Sequence, residues 1–285
     1  MTATDSPLGG RVALITGAGR GLGASHAIVL AAAGAAVVVN DPSLSVDGSR
    51  FENSDVAQVV ADSIVATGGT AIADRSDISS FDGATKAVYR TLETFGRIDI
   101  VVNNAGILST TGIAGLSQDE LERSLATNVT GAIGTARAAF QPMRGQRYGR
   151  IVNTVSEAAL APGHHTGTAY AASKAALWGV TMALADEGAA DGITVNAISP
   201  GARTRMSAAH LERTRSSLDL DPAHVSSVLL ALVSESAADI TGRIVHAAGG
   251  AVREYLLRRQ SETEILARLA NPPVLNDERN RREYG

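Results

Sequence analysis

The sequence predicts an α/β fold in which one parallel β-sheet is covered by helices on both faces. Short runs rich in valine and isoleucine alternate with longer segments of helical periodicity along most of the chain. The runs are apolar at nearly every position, which is typical of parallel strands buried on both sides. Seven such runs are present, so we expect a seven-stranded, doubly wound sheet.

The predicted elements follow one another in regular order. The seven predicted strands are Val12–Thr16, Ala36–Asn40, Thr70–Asp74, Ile98–Asn103, Arg150–Thr154, Thr194–Ser199 and Arg243–His246. The six predicted helices are Gly21–Ala33, Asp55–Thr67, Phe81–Phe95, Ser117–Met143, Thr168–Ala190 and Pro222–Ser234. Residues 1–250 are therefore expected to form one domain. Residues 251–285 are expected to form a charged C-terminal extension, in which Glu254–Ala270 has the pattern of an amphipathic helix.

Composition excludes several classes of function. The 285 residues include no cysteine, which rules out disulfides, thiol catalysis and cysteine-ligated metals, and no metal site is expected. The net charge of −4 gives no electrostatic footprint for nucleic acid. The longest uncharged apolar stretch, Ala27–Val39, is shorter than the ~20 residues that span a bilayer. We therefore expect a cytoplasmic protein that acts on a small molecule, without a membrane or nucleic-acid partner.

A glycine-rich turn joins the first predicted strand to the first helix. Glycines at 17, 21 and 23 allow a tight turn, and they let backbone N–H groups approach a pyrophosphate at the helix N-terminus. This arrangement is typical of the dinucleotide-binding Rossmann fold, although a tight loop without a ligand is the alternative. Asp41 ends the second strand, where a carboxylate would bond a ribose 2′-hydroxyl and repel a 2′-phosphate. Arg20 favours the opposite cofactor, because a guanidinium binds phosphate. On balance we predict NAD rather than NADP.

Four polar residues form a candidate catalytic set. Tyr170 and Lys174 are four residues apart in a predicted helix, so they share one face. A nearby ammonium favours the phenolate, which would lower the pKa of the tyrosine and allow it to exchange a proton with an alcohol. Ser156 follows the fifth strand, where it would either bond a substrate oxygen or cap a loop. Asn128 lies in a helical segment, where it would either hold a relay water or simply bend the helix.

These motifs, taken together and in this order, resemble the short-chain dehydrogenase/reductase family over about residues 10–250. Thr16–Gly23 resembles the family's glycine motif, and Asn128, Ser156, Tyr170 and Lys174 resemble its catalytic tetrad. The resemblance implies the strand order 3-2-1-4-5-6-7 and a homotetramer or homodimer. The motifs themselves and the family resemblance together give the expected cofactor-binding residues, which are Gly17, Arg20, Gly21, Leu22, Gly23, Asp41, Asp77, Ile78, Asn104, Ala105, Gly106, Tyr170, Lys174, Pro200 and Gly201.

A narrower resemblance concerns the substrate. Asn40-Asp41 followed by a polar insertion, the segment 146–151, and Pro200–Met206 are similar to the dehydrogenase part of peroxisomal multifunctional enzyme type 2. That resemblance implies a hydrophobic secondary alcohol, either a (3R)-hydroxyacyl-CoA or a 17β-hydroxysteroid. Two alternatives remain open at this point. One is a dehydrogenase of a small sugar or polyol, and the other is a non-catalytic NAD-binding scaffold.

Overall fold

The computed structural model describes residues 6–161, 164, 166–208, 211–212 and 218–256. Within them one sheet of eight strands has the order β3-β2-β1-β4-β5-β6-β7-β8. The strands β1 to β8 are Val12–Thr16, Ala36–Asn40, Thr70–Asp74, Ile100–Asn103, Gly149–Thr154, Ile193–Gly201, Ile244–Ala248 and Ala251–Glu254. Pairs among β1 to β7 are parallel, which confirms the fold class and the strand order that the family resemblance implied.

Helices cover both faces of the sheet. The helices α1 to α7 are Gly21–Ala32, Val56–Ala66, Phe81–Phe95, Gln118–Leu125, Gly131–Gln146, Thr168–Gly188 and Pro222–Val233. Successive residues of a strand point to opposite faces, and each face has its own apolar core. Ala13 and Ile15 of β1 pack in the core that includes α1, α2 and α7. Leu14, between them, packs in the core that includes α3, α5 and α6.

The C-terminal edge of the sheet differs from the expectation of seven parallel strands. The chain reverses at Gly249 and Gly250, which have φ angles of +52° and +80°, a region that glycine adopts without a Cβ clash. The reversal lets β8 pair antiparallel to β7, with His246 opposite Arg253. Glu254 is therefore the last residue of a strand and does not begin a helix. The rest of the proposed tail helix lies outside the described residues, and the domain division at residue 250 stays a prediction.

The long helix expected over Ser117–Met143 is also divided. A wide turn of π-helix, Ala126–Thr130, separates α4 from α5. The extra residue that such a turn accommodates rotates the side chains after it relative to those before it. This turn carries Asn128, whose side chain points into the protein and is 1% exposed.

Parallel pairing brings the carboxyl ends of β1 to β7 to one edge of the sheet. The chain order reverses between β1 and β4, since β2 and β3 lie on one side of β1 and β4 to β7 on the other. Ligands of doubly wound sheets bind in the crevice at this switch point. The glycine turn, Asp41, Asn104 and Ser156 all follow strands that end at this edge.

Two further observations apply to the described residues only. None of their helices is both long enough and apolar enough to cross a membrane. None of their histidine, aspartate and glutamate side chains form a group of three or more that could hold a metal ion.

A buried histidine joins two helices on one face of the sheet. His26 of α1 is fully buried, and its Nδ1 lies 2.9 Å from the Ser226 hydroxyl of α7. Its other ring nitrogen has no hydrogen-bond partner. Burial lowers the pKa of His26 to about 3, so the folded protein holds the neutral ring across the whole neutral and mildly acidic range.

We expect His26 to make the fold sensitive to mild acid. An unfolded histidine takes up a proton near pH 6.5, whereas His26 in the folded chain stays neutral down to a pH of about 3. Protonation therefore favours the unfolded state, and the free energy of unfolding falls as the pH drops below 6.5. Urea unfolding at pH 7.5 and 5.5 should show a loss about 1.4 kcal/mol larger in the parent than in His26→Gln. Equal losses in the two proteins would contradict this account.

Candidate active site

The glycine turn is fixed by the segment that follows β4. The Asn104 side-chain amide donates to the carbonyls of Thr16 and Gly17 at 3.0 and 3.1 Å. The Thr16 hydroxyl accepts from the backbone N–H groups of Asn104 and Ala105 at 3.2 and 3.1 Å. A Cβ on Gly17 would lie 2.7 Å from the Ala105 Cα, so only glycine fits there. These contacts hold the end of β1 against the end of β4.

The turn presents an open helix N-terminus to the crevice. Helix α1 begins at Gly21, and neither a side-chain cap nor an acidic residue occupies its first turn. Gly21 has a φ of +50°, and a Cβ on Gly23 would lie 2.2 Å from the Gly17 carbonyl oxygen. Leu22 points into the core instead. Free backbone N–H groups at such a terminus suit a pyrophosphate, so these residues fit a dinucleotide.

Asp41 and Arg20 lie beside the turn but in different electrostatic situations. The Asp41 carboxylate accepts from the backbone N–H groups of Gly19 at 3.0 Å and Ser43 at 2.7 Å, and the side chain remains partly exposed. The Arg20 guanidinium is paired with Glu52 at 2.7 Å and donates to the Ser54 hydroxyl at 2.9 Å. Of these two opposing residues, the acid is therefore hydrogen-bonded to the glycine turn itself, while the arginine is already paired with another carboxylate.

The other expected cofactor residues lie around the same crevice. Asp77 is exposed and accepts from the Ser79 N–H at 3.0 Å, whereas Ile78 is buried against the first residue of α5. Pro200 and Gly201 end β6 and pair with β7. Gly106 lies beside the catalytic set, since a Cβ there would be 3.3 Å from the Lys174 Nζ.

Tyr170, Ser156 and Lys174 come together above the end of β5. The Ser156 side chain lies close enough to the Tyr170 hydroxyl to lower its pKa, and the same hydroxyl lies 3.9 Å from the Met206 sulfur. The Lys174 ammonium donates to the Thr154 carbonyl at 2.7 Å and lies 5.8 Å from the centroid of the Tyr170 ring. Both α6 side chains are buried. The three residues therefore form one cluster, and their catalytic roles stay a prediction.

Burial controls the protonation of this cluster. It raises the pKa of Tyr170, and the neighbouring Ser156 side chain only partly opposes that shift. This rise is opposite to the lowering of the Tyr170 pKa that we expected from Lys174. Removing a phenolate from water costs more free energy than the neighbouring groups return. Burial also lowers the pKa of Lys174 to about 8. At neutral pH, Tyr170 is thus a phenol, and most Lys174 side chains carry a proton.

Asn128 serves as a link between segments. Its Oδ1 accepts from the Ile107 N–H at 2.8 Å, and its Nδ2 donates to the Ile107 carbonyl at 3.1 Å. Nδ2 also donates to the Ser173 hydroxyl of α6 at 2.9 Å. Asn128 lies in the π-helical turn between α4 and α5, which is consistent with the interpretation that it bends the helix. Its part in a proton relay stays a prediction.

Sequence reasoning missed two residues that complete the site. Met206 contacts the catalytic-set tyrosine from the segment after β6, and Glu52 pairs with Arg20 from the insertion after β2. The sequence does not indicate which cation a single carboxylate in a polar loop will pair with. The only indication was the length of the insertion after β2, which is long enough to fold back over the glycine turn.

Comparison with known proteins places the chain in a family. Residues 11–215 match the family model described as short chain dehydrogenase. The peroxisomal hydratase-dehydrogenase-epimerase of Saccharomyces cerevisiae is 41% identical over 196 residues, which cover 69% of this chain and 21% of that protein. The peroxisomal multifunctional enzyme type 2 of Drosophila melanogaster is 36% identical over 262 residues, which cover 90% of this chain and 42% of that protein.

A solved structure shows the same likeness. The short chain dehydrogenase from Burkholderia cenocepacia J2315, in complex with NADP, is 34% identical with a TM-score of 0.75. The match covers 86% of this chain and 98% of that one.

The chain therefore belongs to the short-chain dehydrogenase/reductase family. That family is one of dehydrogenases, and the solved relative from Burkholderia cenocepacia holds NADP. The chain's similarity to the multifunctional type 2 enzymes confirms the narrower resemblance seen in the sequence. The chain spans about a fifth of the yeast relative's length and about two-fifths of the fly relative's.

Proposed function

We propose that the protein is an NAD-dependent dehydrogenase that interconverts a secondary alcohol and a ketone on a hydrophobic substrate, such as a 3-hydroxyacyl-CoA. The observation that carries the proposal is the buried cluster in which the Ser156 side chain lies beside the Tyr170 hydroxyl and the Lys174 ammonium lies 5.8 Å from the Tyr170 ring. A cofactor-binding scaffold has no need of a buried proton-exchanging pair, so this cluster favours an enzyme.

In this proposal, Ser156 and Tyr170 hold the substrate oxygen between two hydroxyl groups. During reduction, the Tyr170 phenol donates its proton to the substrate oxygen as a general acid. During oxidation, Tyr170 must first release that proton to the relay, and the resulting phenolate then accepts the alcohol proton as a general base. When bound, the nicotinamide supplies the acceptor or donor of the hydride. Lys174 stabilises the phenolate by its charge and also binds the nicotinamide ribose. Asn128 fixes α6 through Ser173 and supports the proton relay.

The charges beside the glycine turn support NAD as the cofactor. Asp41 is partly exposed next to the Gly19 N–H, where a ribose 2′-hydroxyl would donate to its carboxylate. A 2′-phosphate at the same place carries roughly two negative charges, which the Asp41 carboxylate would repel. Arg20, the residue that would favour the phosphate, is paired with Glu52.

The substrate class rests on the relatives and on one contact. One relative that this chain matches is named peroxisomal hydratase-dehydrogenase-epimerase, and another is named peroxisomal multifunctional enzyme type 2. The Met206 sulfur lies 3.9 Å from the Tyr170 hydroxyl, so at least one apolar side chain adjoins the reacting position. A polyol would leave its hydroxyls unpaired against such a side chain, which favours the thioester or the steroid over the sugar alternative. The homo-oligomeric state and the cytoplasmic location stay predictions.

Removing the Tyr170 hydroxyl tests the catalytic proposal. Tyr170→Phe should lower kcat at least ~100-fold, because the proton acceptor is lost, while the Kd for NAD changes little. Steady-state kinetics and calorimetric NAD titration measure the two effects. Tyr89→Phe is the matched control, because Tyr89 is 58% exposed on α3, and it should leave both values unchanged. An equal loss of NAD affinity in Tyr170→Phe would argue against the assigned role.

The charge of Asp41 tests the choice of cofactor. The parent should show the larger kcat/KM with NAD, and Asp41→Asn should reduce the NAD-to-NADP ratio about tenfold. Asparagine keeps an oxygen that accepts from Gly19 but removes the charge that repels a phosphate. Initial rates with both cofactors provide the measurement. A parent that already prefers NADP would sink the NAD assignment.

A substrate panel tests the substrate class. Both enantiomers of a 3-hydroxyacyl-CoA, a 17β-hydroxysteroid and a polyol are offered with NAD, and the nicotinamide absorbance is followed. We expect the largest kcat/KM with a thioester. A polyol as the best substrate would replace our proposal with the sugar alternative. Tight NAD binding with no turnover of any alcohol would favour the scaffold.

A further inference from the structure

The insertion after β2, residues 42–53, folds back over the crevice as a short strap. Its two ends meet in an isolated bridge between Leu44 and Phe51. The Leu108 N–H, downstream of β4, donates to the Val46 carbonyl of the strap at 2.9 Å. A Cβ on Gly48 would lie 2.8 Å from the Ile107 side chain. The strap is therefore packed against the segment that carries the cofactor-side residues, although Phe51 near its far end is 67% exposed.

Glu52 of the strap contacts two arginines from opposite sides of the crevice. Its Oε2 lies 2.7 Å from the Arg20 guanidinium on the glycine turn. The Arg205 guanidinium, from the segment after β6, donates to both carboxylate oxygens at 2.9 and 3.1 Å. Arg205 also donates to the Leu44 carbonyl at 3.2 Å. One carboxylate thus ties the strap to the glycine turn and to the residue next to Met206.

This carboxylate remains charged at neutral pH. Partial desolvation would raise the pKa of Glu52, but the charges of Arg20 and Arg205 outweigh it and lower the pKa. The side chains of Arg20 and Glu52 are only 30% and 24% exposed, so their pairing is better shielded than that of a fully exposed pair. Arg20 has a second partner in the Ser54 hydroxyl, which fixes its direction.

We propose that Glu52 is a specificity-determining residue, which excludes a ribose 2′-phosphate by keeping the Arg20 guanidinium occupied. This inference rests on the proposed NAD-dependent function and adds a second carboxylate to the discrimination made by Asp41. A 2′-phosphate needs a free cation to offset its charge. The cation that the glycine turn offers is paired with Glu52, Arg205 is paired with the same carboxylate, and the Asp41 carboxylate lies at the same turn.

Calorimetric titrations of the full chain with NAD, NADP and adenosine 2′,5′-bisphosphate test this inference without relying on turnover. In Glu52→Gln, the Kd values for NADP and the bisphosphate should fall about tenfold, since one guanidinium becomes available for a charge-assisted contact. The Kd for NAD should change little. Glu52→Ala, which also removes the amide that could still hold Arg20, should give the same result if the glutamine variant is poorly folded.

Two further variants separate Arg20 from Arg205. Arg205→Gln breaks the other half of the cluster but leaves Arg20 paired, so its Kd for NADP should match that of the parent. The double variant Arg20→Gln/Glu52→Gln should lose the gain seen with Glu52→Gln. If the gain persists in the double variant, Arg205 holds the phosphate and the inference is overturned.

The parent and the single variant distinguish two kinds of failure. A parent that binds NAD more tightly, together with a Glu52→Gln variant whose NADP affinity is unchanged, would refute the role of Glu52 and leave the NAD assignment intact. A parent that binds NADP more tightly would refute both, because Arg20 would then be available despite its pairing with Glu52.

Discussion

The contact between the ends of β1 and β4 is the constraint on which the site depends. At this switch point the two halves of the sheet diverge, and the Asn104 amide with the Thr16 hydroxyl spans the gap. The contact fixes the glycine turn on one side and the segment leading to Gly106 and Ile107 on the other. Ile107 in turn holds Asn128, and Asn128 holds Ser173 of α6. The cofactor side and the catalytic side therefore share one hydrogen-bonded chain of residues.

Burial gives the catalytic cluster its chemical character. Lys86 and Lys174 are the only lysines in the sequence. Lys86 is exposed and forms an ordinary ion pair with Asp82, four residues earlier in α3. Lys174 has no such acidic partner among its described contacts and donates to a carbonyl instead. A buried ammonium without a carboxylate is costly, and residues that bear this cost are typical of functional sites.

The sequence predicted those parts of the molecule that local patterns control. Continuous apolar runs mark β1 to β7, and the glycine turn, Tyr170 and Lys174 are recognisable from their spacing. Two other features depend on long-range contacts. The four residues of β8 are exposed, so the strand carries no apolar signal and forms only because Gly249 and Gly250 turn the chain back onto β7. The pairing of Glu52 with Arg205 joins residues 153 positions apart, and charge alone does not specify such a partner.

The upward shift of the Tyr170 pKa shows why the spacing of Tyr170 and Lys174 alone does not predict how the tyrosine is protonated. The spacing indicated that the Lys174 ammonium, one helical turn away, would stabilise the phenolate. The surrounding core, however, decides how strongly the phenolate is disfavoured. The same core excludes water from the reacting hydroxyl, where fixed dipoles act most strongly.

The hairpin of β7 and β8 connects the edge of the sheet to the substrate side of the site. Tyr255, just past β8, donates its hydroxyl to the carboxylate of Glu157, the neighbour of Ser156, and His246 of β7 lies 3.6 Å from the same carboxylate. Local unfolding commonly starts in segments with few buried contacts, and all four residues of β8 are exposed. Fraying of β8 would withdraw Tyr255 and leave the loop after β5 with one fewer anchor. The loop that carries Ser156 is therefore anchored in part by a residue next to a short exposed strand, which carries none of the chemistry itself.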